Sequence, residues 1–206
     1  MTAVDNTQGR PRDPEVTRRI TEAALLEYSR TGWAAFTMDG VARRAGVGKA
    51  ALYRRWNSKE GLLVDALEAQ SQPVTETVDQ GDFRSDTIAL AAELMCHFLD
   101  PAGWATLRIA VDAADNTAPL AQFYERIVLA HREAVARSFE RNVARGALSP
   151  GASAAALAEC LFGAVFMHVL AMAPADRTAA RDSAIEHVTP LVDLLLNGVS
   201  TGHARD

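Results

Sequence analysis

Between Arg43 and Lys59 the chain carries Arg43, Arg44, Lys49, Arg54, Arg55 and Lys59 and not one acid. Six cations without counter-charge do not make or break bonds; they bind polyanions. The setting sharpens this. The 206-residue chain has a formal net charge of −5. Residues 1–68 hold 11 basic and 9 acidic side chains, whereas residues 69–206 hold 10 and 17. A basic patch on an acidic molecule suits a polyanion met by one face only. A solvated helical surface is the plainer alternative, and charge by itself leaves both open.

Other chemistry is hard to find. The histidines His97, His131, His168, His187 and His203 show no metal-ligand spacing, so no metal is expected. No glycine-rich phosphate loop is present, and no cofactor is expected. Gly151-Ala-Ser153 lacks the second glycine of a nucleophile elbow. No carboxylate pair stands out; Asp112 and Asp115 read as cover for a solvent face. An enzyme is therefore not expected, and a helical enzyme is the weakest of three readings. Cys96 and Cys160 read as core thiols of a reducing compartment. No signal-like stretch and no run near ~18 apolar residues is seen. The expected location is the cytoplasm, with no membrane partner.

The elements that must position the cations are helices. Alanine is abundant and β-branched runs are scarce, which points to an all-α chain of about nine helices. Asp13 caps a helix with Pro14 at its first position, and Gly32 ends it. Thr37 caps a short helix that stops at Gly46. A second short helix runs from about Lys49 to Arg55, and Ser58 caps the one after it. Two short helices with a glycine turn between them form a helix-turn-helix unit, and with the first helix they make a three-helix head. Val41, Ala45, Val47, Leu52 and Trp56 can bury, which leaves Lys49, Ala50, Tyr53 and Arg54 outward, toward a DNA major groove.

Roles follow from side-chain chemistry. Lys49 can reach a guanine edge or a phosphate. Ala50 permits close approach to a thymine methyl. Tyr53 offers a ring and a hydroxyl. Arg54 and Arg55 suit phosphate clamps, with one able to read a base. Thr37 and Lys59 sit at helix N-termini, which attract phosphate. An N-terminal Arg10-Pro11-Arg12 arm fits a narrow minor groove, and equally fits a mobile tail that adds charge.

The runs Ile20–Ala24 and Gly32–Leu63 carry Thr37, Val41, Ala42, Ala45, Gly46, Val47, Leu52, Tyr53, Ser58, Lys59, Glu60, Leu62 and Leu63. In this pattern the chain resembles the TetR family of repressors. Gly48 stands where many relatives have Ser, and Ala50 where many have Gly, so operator preference does not transfer. Gly40 is a poor helix former, costing ~1 kcal/mol against Ala; it marks either a close backbone approach or a tolerated surface change. The resemblance implies a homodimer whose paired heads bind a near-palindromic operator, with an effector in the body altering head spacing.

The expected division is a flexible arm over 1–12, a DNA-binding domain over 13–57, and a connecting helix and linker over 58–82. An effector-binding and dimerisation body then spans 83–199, with a tail over 200–206. Body helices are expected at 83–99, 101–114, 118–146, 152–173 and 175–198. Periodic apolar residues on the last two place Leu157, Leu161, Val165, His168, Val188, Val192 and Leu195 at a four-helix dimer interface. Closure of the chain's own core is the other reading of the same stripes. Phe98, Trp104, Leu107, Phe123, Ile127, Phe162 and Phe166 are candidate pocket walls, with Arg108 and Tyr124 as placed polar groups. The double-stranded operator, a small apolar or aromatic effector and a second copy of the chain are the expected partners. A DNA-binding adaptor with a filled, non-sensing body is the runner-up.

Overall fold

Local capping chemistry sets the first four helices. Asp13 accepts from the Glu15 amide at 3.0 Å, and Pro14 opens α1, Pro14–Ala35. Arg18 reaches both Glu15 and Glu22, one turn to either side. Inside α1, Gly32 leaves the helix with φ 69° and ψ 178°, so the last turn is kinked. The Thr37 hydroxyl accepts from the Gly40 amide at 3.1 Å and starts α2, Met38–Ala45. Gly46 ends it in the left-handed region at φ 64°. Then come α3, Lys49–Tyr53, with no side-chain cap from Gly48, and α4, Lys59–Gln70, where the Ser58 hydroxyl accepts from the Gly61 amide.

In this computed structural model residues 13–70, 79–114, 133, 135–148, 151 and 153–197 are described. Their regular secondary structure is all helix, with no strand among them. The body contains α5, Phe83–Leu99; α6, Pro101–Ala114; α7, residues 135–144; α8, Ala154–Ala171; α9, Arg177–Asp182; and α10, Ala184–Asn197. Asp82 and Ser153 cap α5 and α8. The arm 1–12, the tail 200–206, residues 71–78 of the connecting helix and linker, and the front of the helix expected at 118–146 lie outside the described residues.

Three expectations are corrected. The helix expected over 175–198 is two helices, broken at Ser183, whose φ of −117° and ψ of 27° are not helical. Ser183 can still accept, and its carbonyl takes the amides of Glu186 and His187. The expectation of no span-like run also fails by composition: α8 has a mean hydropathy of 1.9 over 18 residues. Its inward face, Ala158, Leu161, Val165 and Val169, packs on the body core, and the rest of the helix is not buried inside the chain. Cys160 is exposed on α8 rather than a core thiol, and Cys96 is half-buried; both are free.

The apolar side chains form two cores. One unites Ile20, Tyr28 and Phe36 of the first helix and loop with Val41, Leu52, Trp56, Leu62 and Leu63. Tyr28 and Phe36 meet edge-on at 5.6 Å, a favourable aromatic geometry. The other joins Met95 and Phe98 of α5 to Leu161 and Val165 of α8 and Val188 and Val192 of α10. Helix α6 serves both: Ala105 and Ile109 lie in the first core, Leu107 in the second. Polar ties fix the body. Arg84 of α5 forks onto Asp193 of α10 at 2.6 and 2.9 Å. The buried Asp86 carboxylate accepts from the Gln80 amide and from Asn142 of α7.

Candidate functional site

The turn between α2 and α3 presents the shorter helix outward. Leu52 is fully buried and Trp56 nearly so, its indole donating to Asp65 of α4 at 2.8 Å. With that side closed, Lys49, Ala50, Tyr53 and Arg54 stand exposed in one row. Tyr53 is 48% exposed, with its ring and hydroxyl both open to a partner. Arg43, at the end of α2, is exposed beside this row. Gly40 decides how close α2 sits to α1. A Cβ there would meet the Glu27 carboxylate at 2.6 Å. Glu27 is buried and accepts from Arg44 at 2.7 Å, so the close-approach reading of Gly40 holds and Arg44 is committed to the head's own packing.

The other cations differ in their freedom. Lys49 pairs with Asp39 at 2.5 Å, both side chains more than half exposed. Such a pair contributes about 0–1 kcal/mol and yields readily to a phosphate. Arg55 is half-buried and donates to the Ala51 carbonyl at 3.0 Å. Lys59 donates to the carbonyls of Trp33 and Phe36 at 3.0 and 3.3 Å and lies 4.0 Å from the Trp33 ring centre. It therefore fastens the start of α4 to the end of α1. Thr37 is exposed, its hydroxyl already occupied as the cap of α2. Arg10 and Arg12 lie outside the described residues.

One site was missed from sequence. Asp112 of α6, expected to cover a solvent face, accepts from the Tyr28 hydroxyl at 2.6 Å and from the Trp33 amide at 3.1 Å. Burial and then this hydrogen bond push the Tyr28 phenol well above its ordinary range, so it remains a donor. Arg108, one turn earlier, donates to the Ser29 carbonyl at 3.3 Å and reaches that of Arg30 at 3.5 Å. Its guanidinium lies 2.5 Å from where a Gly32 Cβ would stand. No sequence spacing signals these contacts, because 78 to 84 residues separate the partners.

The same two residues line a cleft of about 230 Å³ between α6 and α8, with walls of Trp104, Leu107, Val111, Phe166 and Leu170. Of the expected pocket residues, Trp104, Leu107, Arg108 and Phe166 come together here. Phe98 is instead in the core, edge-on to Phe162 at 5.2 Å. Phe123, Tyr124 and Ile127 lie outside the described residues. Val111 and Leu170 were not foreseen. Among the described residues no group of three metal-ligating side chains is seen.

The residues expected at a dimer interface separate by burial. Leu161, Val165, Val188 and Val192 are closed inside the chain's own core at 2% exposure or less, out of a partner's reach. Leu157, His168 and Leu195 are half-buried. His168 and His187 sit with ring nitrogens 3.1 Å apart, joining α8 to α10. The large apolar residues exposed on these helices are Met167, Leu170, Ile185 and Leu194. Periodicity identified the correct helices, but it does not distinguish a helix's inner face from its outer one when both are apolar.

Comparison with known proteins agrees across both halves. Residues 20–66 match the model of the bacterial regulatory proteins of the tetR family. Residues 77–188 match the tetracyclin repressor-like C-terminal domain. An HTH-type transcriptional regulator of Mycobacterium bovis is 30% identical over 155 residues, 73% of this chain and 76% of that one. A TetR transcriptional regulator from Chloroflexus aurantiacus has a TM-score of 0.71 at 20% identity, over 89% of this chain and 95% of its own. FadR of Bacillus subtilis, solved with stearoyl-CoA, has a TM-score of 0.65 at 14% identity, over 88% and 98%. With the head and more than half of the chain's length so matched, the protein belongs to the TetR family of bacterial transcriptional regulators.

Proposed function

We propose that this regulator is a cytoplasmic dimeric repressor that holds a near-palindromic operator through α3 and leaves it when a small apolar or aromatic effector enters the body. The observation that carries the reading is the exposed row Lys49, Ala50, Tyr53 and Arg54, backed by the buried Leu52 and Trp56. Two such helices about 34–36 Å apart would fit successive major grooves. Lys49 exchanges Asp39 for a base edge or phosphate, and Ala50 lets the helix approach. Tyr53 contacts the groove wall, while Arg54, Arg43 and Arg55 meet phosphates. Thr37 and Lys59 support the adjoining backbone. The cleft lined by Trp104, Leu107 and Phe166 receives the effector. The outward apolar faces of α8 and α10, at Met167, Ile185 and Leu194, meet their copies about a two-fold axis.

The test is an anisotropy titration of the full chain against the DNA upstream of its own gene. Wild type should bind, more weakly as salt rises. Lys49→Ala and Tyr53→Ala should each weaken specific binding by about 5- to 150-fold, the worth of a lost base contact of ~1–3 kcal/mol, with unchanged helical circular dichroism. Wild-type affinity in both variants would remove α3 from the groove.

A further inference from the structure

We infer that the cleft between α6 and α8 takes an apolar molecule ending in a carboxylate, and that binding it draws Arg108 away from the kinked end of α1. This deepens the effector-controlled reading above and rests on it.

The chemistry of the cleft selects the class. Five of its walls are apolar or aromatic, which suits a hydrocarbon body. Its volume of about 230 Å³ lies below the ~300–1,000 Å³ of drug-sized pockets, so the molecule is small. Its two charged residues are unequally engaged. Asp112 is held by a hydroxyl at 2.6 Å and an amide at 3.1 Å. Arg108 spans 3.3 and 3.5 Å to neutral carbonyls. These are long contacts; a guanidinium–carboxylate pair closes to ~2.7–2.9 Å and is about twice as strong as a neutral bond. A carboxylate arriving in the cleft therefore outcompetes the Ser29 and Arg30 carbonyls for Arg108.

The consequence reaches the head through contacts already described. The Arg108 guanidinium lies against Gly32, at the point where α1 turns through positive φ. Directly after it, the Trp33 amide is held by Asp112, and the Trp33 and Phe36 carbonyls hold Lys59 at the start of α4. Loosening Arg108 thus loosens the turn that seats both α2 and α4. The described contacts form an unbroken series from the cleft to the start of α4, and the two states differ in one exchange of hydrogen-bond acceptor.

Hydrogen-exchange mass spectrometry of the full chain tests this without DNA, using octanoate, with 1-octanol as the neutral control. Octanoate should protect α8 peptides around Phe166 and Leu170. It should also speed exchange in residues 29–36 by about 5- to 150-fold, the usual span of a coupling between sites. 1-Octanol should leave residues 29–36 as they are. Arg108→Gln should exchange fast there without any addition, and octanoate should change it no further. Protection of α8 with unaltered exchange at 29–36 overturns the relay. No protection of α8 by octanoate overturns the ligand class. Arg108→Gln exchanging as wild type does overturns the role of the guanidinium. Should that variant fail to fold, the two wild-type arms decide. Failure of operator binding belongs to the earlier titration, so the two readings fail separately.

Discussion

Gly32 shows how much can hang on one hydrogen in place of a methyl group. Its φ of 69° disfavours any L side chain, and the space is taken by the Arg108 guanidinium. Gly46 has a similar φ of 64° but open surroundings. Gly46→Ala should therefore cost about 1–2 kcal/mol, the left-handed penalty alone. Gly32→Ala should cost more, because its ψ of 178° puts it in a region essentially confined to glycine and because Arg108 must also move. Equal melting temperatures for the two variants would mean that the guanidinium adds nothing there. At the same scale, Asp39 restrains Lys49. Lys49→Ala should flatten the dependence of log K on log salt by about 0.9, the share of one phosphate neutralised, if the amine meets a phosphate. Asp39→Ala should instead tighten binding to all sequences. Weaker binding by Asp39→Ala would show the pair to be part of the docked geometry. Residues whose partners lie within four positions were legible from sequence: Asp13, Thr37, Ser58 and Gly46 cap as their types require. Arg108 and Asp112 were not, since their partners are brought near only by the crossing of α6 over α1.

Among the elements, punctuation explains what could be read. Asp82 and the Asp100–Pro101 elbow bound α5 and α6 at the expected residues. Ser183 carries no such mark, having neither the freedom of glycine nor the ring of proline, and the break before α10 passed unseen. Pro190 lies inside α10 although it cannot donate to the helix, a cost that packing of Val188 and Val192 offsets. The α8–α10 contact at His168 and His187 makes a pH prediction. Burial first, and His187 second, hold the His168 pKa below its ordinary value of 6.5. The unfolded chain then binds the proton more readily than the folded one. This contribution to stability is fully present above about pH 6.5 and is lost as pH falls toward the lowered folded value. The urea midpoint should fall between about pH 7.5 and about pH 5.5, and less so in His168→Gln. Identical pH profiles for the two proteins would exclude His168 as the source.

For the whole molecule, burial separates two substitutions that periodicity had made equivalent. Val192 is fully enclosed, so Val192→Arg should unfold the body rather than divide a dimer. Leu194 is 52% exposed on the same helix. Leu194→Arg should leave circular dichroism and melting of the subunit intact while sedimentation shows the mass halved. A dimer surviving that change would move the two-fold contact off this part of α10. The stripe was visible in sequence, but its inward half is spoken for by α5 and α8 of the same chain, and only the packed molecule reveals which half is left.

Helix α6 gives side chains to both cores, Ala105 and Ile109 on one side and Leu107 on the other. The boundary between the two cores therefore runs through the middle of a helix, not along the linker that separates the matched stretches 20–66 and 77–188. Anyone wishing to transplant the reading head onto a foreign sensor would have to carry Pro101–Ala114 along with it. A graft cut at the linker would leave the head with an open seam where Ile109 belongs, and the recipient body with a helix fitted to a neighbour it no longer has.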